Sequence, residues 1–328
     1  MEAEMIARLS ILLPFSLNIP QEETFQIYSY IDEGYEIRFY PLAKSGIYEL
    51  PDSLKEVKID ETTILCPDVP HDVLHIDFYK DNFDRRKNGD CDPPYDFIRR
   101  TVNSFLSKLR FVTRGGQIKP IDYPYLTWDI SYLNDDGTEL QKEEGLVRGR
   151  SNITKTISLI SLNRQMWEEI HQLPYDYAPP EWDGLLLDAY TLLPEVGPAI
   201  VLAMTALEVF ISQILDALVE NSTIPNELWK WINKREWRPN VEDRFDILLY
   251  VLTGVSLKKE NPVLWQAFKH LQQARNNFVH KGVTKADAPS LLKAAADIIG
   301  FVRELLPDEM RWPQFHHKIE CKVLLKIL

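Results

Sequence analysis

The segment Arg275-Asn276-Asn277-Phe278-Val279-His280, followed by Lys281 and Gly282, places a fixed cation, amides and an imidazole within two helical turns. Histidine titrates near pH ~6.5 and can serve as general acid or general base. Arginine stays charged and holds two phosphate oxygens in a planar fork. These are the groups that cleave RNA without a metal: a base for the 2′-hydroxyl, an acid for the departing 5′-oxygen, and positive charge for the phosphorane. One histidine does not easily act as both acid and base in a turnover, so a second acid/base group is needed. Arg-x4-His spacing alone arises by chance in roughly one of three chains this long. The weight therefore falls on where the motif sits.

It closes a predicted helix, Pro262 to His280, whose apolar stripe is Val263, Leu264, Ala267, Phe268, Leu271, Ala274 and Phe278. Gly282 is placed to stop that helix in the left-handed conformation. Projection at ~100° per residue puts Arg275 within the stripe, beside Leu264, Phe268 and Leu271. Asn276 and His280, four apart, share another face. A guanidinium aimed at a core needs a carboxylate. Glu208 is the expected partner, at the edge of the apolar face of a helix predicted over Ala199 to Val219, with Met204, Ile211 and Leu215 around it. A buried Glu208–Arg275 pair could support the site or simply fix helix register. Arg275 and His280 lie ~140° apart on a regular helix, so joint action needs a distorted helix or a long reach by Arg275.

The elements that must position these residues fall into two classes. Up to about Tyr79 the apolar pattern follows strand logic, at Ile6–Ile19, Phe25–Ile31, Tyr35–Leu42, Thr63–Cys66 and Val73–Tyr79. Tyr35, Ile37 and Phe39 alternate with Glu36, Arg38 and Tyr40, as in a half-buried antiparallel strand. Asp81–Pro94 is polar and reads as a loop, and Tyr95–Phe111 has the spacing of one amphipathic helix. Strands return at Tyr125–Leu133 and Ile153–Leu162, with a turn at Asp135, Asp136 and Gly137. Beyond a linker at Leu173–Asp183, with Pro174, Pro179 and Pro180, the pattern is helical: Gly184–Leu193, Ala199–Val219, Val241–Leu252, Pro262–His280 and Ala288–Leu306. The expected organisation is an α+β domain of mainly antiparallel strands over 1–172, a linker over 173–183, and an all-α bundle with a C-terminal tail over 184–328.

The chain has 328 residues and a net charge of −12, which is unhelpful for holding nucleic acid by electrostatics alone. The charge is uneven. From Glu181 onward 17 basic residues face 19 acidic ones, so the part before carries −10. Cys66, Cys91 and Cys321 are far apart, which suits a reducing, cytoplasmic setting and neither a disulfide framework nor a zinc ribbon. Arg8 and Pro14 interrupt the first apolar run, so no secretory signal is expected. No run of ~18 apolar residues lacks a charge or a breaker, and a membrane location is not expected.

A helical half carrying Ala206-Leu207-Glu208 on one apolar helix, and a later helix ending in Arg275-Asn276-x3-His280 before Gly282, resembles the HEPN superfamily. The resemblance covers roughly Asp183 to Pro307 and matches the family's arginine, polar residue and histidine without departure. It implies a metal-independent endoribonuclease needing no cofactor, with Arg275, Asn276 and His280 catalytic in a composite site between two copies. It also implies a role in microbial defence such as abortive infection. The N-terminal domain would then sense a trigger, phage-derived or another protein. Some family members have lost the motif and serve as binding modules. The alternative here is accordingly a dimerising interaction module whose N-terminal domain binds a protein or a carbohydrate.

Other signals are weaker. Trp229, Lys230, Trp231, Lys234, Arg235, Trp237 and Arg238 interleave aromatics with positive charge, as in single-stranded RNA binding, and Lys281 adds a cation beside the motif. The plainer account is tryptophans packed in a core beneath solvated cations. His71 and His75, with Asp72 and Asp77 nearby, read as strand surface, and His316, His317 and Cys321 as tail packing. No Walker A, GxGxxG, GxSxG or HExxH pattern occurs.

Overall fold

The computed structural model describes residues 5–19, 24–40, 57–58, 63–65, 70–80, 93–121, 128–134, 139–145, 159–234 and 239–306. The chain divides into two compact units between Ala178 and Pro179, within the segment expected to be a linker. The expected turn at Asp135–Gly137, most of the loop at Asp81–Pro94, and all three cysteines lie outside the described residues. So do His316 and His317.

The first unit is built on β1 (Met5–Asn18), β3 (Tyr28–Asp32), β4 (Tyr35–Phe39), β7 (Pro70–Lys80), β8 (Trp128–Asn134), β9 (Glu139–Gly145) and β10 (Leu159–Ser161). Their order is β3-β4-β7-β1-β8-β9, all antiparallel, with β10 added in parallel to the end of β1. Short strands β2 (Thr24–Gln26), β5 (Val57–Lys58) and β6 (Thr63–Leu65) form a second sheet. β1 sits at the centre because alternate residues Ala7, Leu9, Ile11, Leu13, Phe15 and Leu17 are all buried. In β4 the expected alternation holds, with Tyr35, Ile37 and Phe39 turned inward.

Helix α1 (Tyr95–Thr113) covers the inward face with Phe97, Ile98, Val102, Phe105 and Leu109, and Phe105 stacks on Phe39 at 4.5 Å. Helix α2 (Arg164–Gln172) was not anticipated from the sequence. Asn163 caps it by accepting from the Met166 N–H, and its Trp167 is fully buried edge-on to Phe25.

On the outward face, Asp77 is nevertheless completely buried, so it is not the surface residue its strand context suggested. Arg8, its cross-strand partner, grips it with Nε and Nη2, each at 2.7 Å. Arg8 also lies over the Tyr40 ring and Arg38 over Tyr79. Beside them the Ser10 hydroxyl is 3.0 Å from His75 Nδ1.

α1 also secures the chain that leads out of this unit. Ser104 Oγ and Lys108 Nζ both donate to the Tyr175 carbonyl, at 3.0 and 2.8 Å, and the Tyr175 ring stacks on Tyr30. Lys108 is buried, which pulls its ammonium down to about 8 against the opposing pull of Asp176. Nearby, the His171 ring lies 4.8 Å from Tyr28, and burial holds it down at about 4 despite Glu168. The folded chain therefore keeps His171 neutral while the unfolded chain protonates it below ~6.5. Stability is expected to be unaffected by this group above that pH and to fall as pH drops from about 6.5 toward 4. Melting temperatures across this range test it: His171→Phe should flatten the decline, and an unchanged slope would rule His171 out as its source.

The second unit comprises α3 (Glu181–Thr191), α4 (Val196–Glu220), α5 (Asn226–Ile232), α6 (Val241–Asp243), a π-turn (Arg244–Leu248), α7 (Leu249–Thr253), α8 (Leu257–Glu260), α9 (Pro262–Lys281) and α10 (Ala288–Glu304). It is mostly helical, as the periodicity predicts. α4 is the axis: Ala199, Ala203, Leu207, Phe210, Ile211 and Ile214 are buried in a core shared with α3, α9 and α10. Of the described helices it alone is long and apolar enough to cross a membrane, and much of it is buried within the unit. The predicted helix Val241–Leu252 is interrupted by the π-turn, and α5 was not anticipated.

Candidate active site

α9 is fixed at both ends and along one face. Asn261 Oδ1 accepts from the Leu264 N–H, Pro262 opens the first turn, and Gly282 closes the helix with φ of 70°. Trp265, Phe268, Leu271 and Ala274 are buried, and Phe268 packs against Phe245 at 5.2 Å. Near the C-terminal end, the Phe278 ring lies across Gly197 of α4. A Cβ at Gly197 would stand 2.1 Å from Phe278 Cε2, so only glycine permits this approach. Gly197→Ala is expected to destabilise the protein by about 1–3 kcal/mol, the range for overpacking, and to displace the end of α9. A denaturation midpoint equal to the parent's would show that Phe278 moves aside freely.

The motif projects from this anchored end. Asn276, His280 and Lys281 are exposed, and Arg275 is half-buried. Arg275 Nη1 donates to Asn276 Oδ1 at 3.1 Å. The guanidinium thus leans toward the face that Asn276 shares with His280, on a helix that remains regular.

The expected buried Glu208–Arg275 pair is not formed. Glu208 and Arg275 are both half-buried, and among the described residues no hydrogen bond or ion pair joins them. A long flexible stem lets arginine lay its methylenes on an apolar stripe and still bring its charge to the rim, so Arg275 needs no interior carboxylate. Glu208 contributes its backbone carbonyl, which accepts from Ser212 Oγ at 2.6 Å.

Among the described residues of this unit the buried arginine is Arg244, which sequence reasoning missed. Its signal was present, since Arg244 lies among Val241, Phe245, Leu248 and Leu252 in an apolar periodic run. It opens the π-turn, where the Leu249 N–H reaches back to the Arg244 carbonyl. Nη1 donates to Ser212 Oγ and Nε to the Pro239 carbonyl. Arg244 forms part of a cleft of about 370 Å³ with Ser212, Leu215, Asp216, Trp229, Lys230 and Asn233.

Of the proposed RNA-binding residues, Lys230, Trp231 and Lys234 are exposed at α5 and the turn that follows. Arg235, Trp237 and Arg238 lie outside the described residues. The tryptophans do not share one environment: Trp229 donates through Nε1 to Asp216, and Trp231 is 53% exposed. Core packing therefore does not account for Trp231.

Comparison of the chain with protein-family profiles, with characterised proteins and with solved structures finds no match.

Proposed function

We propose that the protein is a HEPN-type endoribonuclease that cleaves RNA through Arg275, Asn276 and His280 in a site completed by a second copy of the chain. The observation that supports this best is the exposure of His280 on the face toward which Arg275 is drawn by Asn276. A histidine covered by its own subunit would have favoured the interaction-module alternative. Val279 and Val283, on either side of His280 in sequence, are 51% and 66% exposed and add apolar surface suited to contact with a second copy.

In the reaction, one His280 takes the proton of the 2′-hydroxyl as its oxygen forms a bond to phosphorus. The bond from phosphorus to the 5′-oxygen breaks, and the partner copy's motif returns a proton to that leaving oxygen. Arg275 holds the non-bridging oxygens as charge builds on them, and Asn276 orients the guanidinium. The products are a 2′,3′-cyclic phosphate and a 5′-hydroxyl. The N-terminal unit serves as the sensing domain, with a phage-derived or other protein as trigger; its link to defence follows the family resemblance.

Mapping the termini of a cleaved oligonucleotide tests the chemistry. Cleavage in EDTA leaving a cyclic phosphate or its 3′-phosphate product is expected, with 2′-O-methyl RNA and DNA resistant. A 5′-phosphate and 3′-hydroxyl, lost on adding EDTA, would overturn it.

A further inference from the structure

The α5 region is built unlike the rest of the helical unit. None of the residues from Asn226 to Ile232 is buried, yet the helix carries Trp231, a residue type seldom left so exposed. Lys230 on the same helix turns to the cleft, where Asn233 and Ser212 add an amide and a hydroxyl and buried Arg244 adds a fixed charge. The carboxylate in that cleft, Asp216, is engaged by the Trp229 indole, and Lys230 has only a loose 3.4 Å contact with exposed Glu227. The π-turn that seats Arg244 is a second mark, since such turns occur frequently at functional sites.

Trp229, Lys230 and Asn233 of this stretch line the cleft of about 370 Å³, and Trp231 presents its exposed indole on another face of the same helix, next in sequence to Lys230; a stacking surface and a hydrogen-bonding cation on one short helix suit a strand of bases and phosphates. We infer that α5 and this cleft form an RNA-binding exosite: a base of single-stranded RNA stacks on Trp231, and a neighbouring phosphate of the strand meets Lys230 at the edge of the cleft. The inference deepens the ribonuclease reading, on which it rests for its choice of ligand. On this account the exosite holds the substrate strand away from His280, so it governs affinity and leaves the bond-breaking step alone.

The test uses the full chain and a fluorescein-labelled 2′-O-methyl oligouridine, which binds without being cut, with fluorescence anisotropy as the readout. Trp231→Ala is expected to weaken binding about tenfold or more. Lys230→Ala should weaken it and lower the slope of log affinity against log salt by about 0.7, the share of one phosphate contact on a single strand. Both side chains are exposed, so both variants should melt with the parent. Parental affinity and salt slope in the two variants overturn the inference and point to a protein partner at this ledge. The two readings fail separately. Ledge-dependent binding without any cleavage of unmodified RNA would sink the ribonuclease reading, and normal cleavage with ledge-independent binding would sink only the exosite.

Discussion

His280→Ala is expected to lower RNA cleavage by about 100- to 10,000-fold, the range associated with losing a general acid–base group. The loss should be at the large end because a two-fold site loses both imidazoles at once. The fold should be unaffected: His280 is exposed, and surface changes of this kind fall within about 0.5 kcal/mol. Arg275→Lys should also be severely impaired, because an ammonium cannot reproduce either the fork on phosphate or the Nη1 donation to Asn276. Mixed copies sharpen the expectation. A His280→Ala chain combined with an Arg275→Lys chain should remain poorly active, since every pairing then lacks two of the four groups. Parental turnover by His280→Ala, with the melting curve unchanged, would remove this histidine from the chemistry.

The largest expected effect on stability lies in the other unit. Asp77→Ala leaves Arg8 in the sheet without the carboxylate that holds two of its N–H groups. Removing one partner of a buried pair costs about 3–5 kcal/mol, and partial exposure of Arg8 brings the expectation to the lower end. Arg8→Met together with Asp77→Leu should recover much of the loss, because no charge is then stranded. Urea denaturation of the three proteins decides it. A single variant as stable as the parent would mean that solvent reaches Arg8 freely.

The parts legible in the sequence were those where one physical constraint acts alone. Residues 35–39 alternate because one face of β4 is buried, and Pro262 to His280 has helical spacing because one face of α9 is buried. β9 escaped notice because Glu139-Leu140-Gln141-Lys142-Glu143-Glu144-Gly145 has no apolar alternation; its place comes from pairing with β8. α2 was missed although Met166, Trp167 and Ile170 stand at helical spacing and Asn163 was visible as a cap; nine residues before a proline-rich segment gave the pattern little length in which to repeat. The site divides in the same way. The motif's place at the end of a helix was readable, whereas the side chain of Arg275 was assigned to the core on angle alone. Angle fixes where a Cα faces, and a long side chain decides the rest. Arg244 shows the converse, with the same angular argument giving a buried guanidinium because Ser212 and the Pro239 carbonyl stand ready to receive it.

The approach of Phe278 to Gly197 ties two positions that are far apart in sequence to one shared volume. Neither can drift independently. A side chain gained at 197 must be matched by one lost at 278, so a lineage passing through alanine at 197 should carry a smaller residue at 278. Such exchanges would appear among relatives as paired substitutions, with positions 275, 276 and 280 constant around them. The glycine thus imposes on the helix that carries the motif a history written in two places at once.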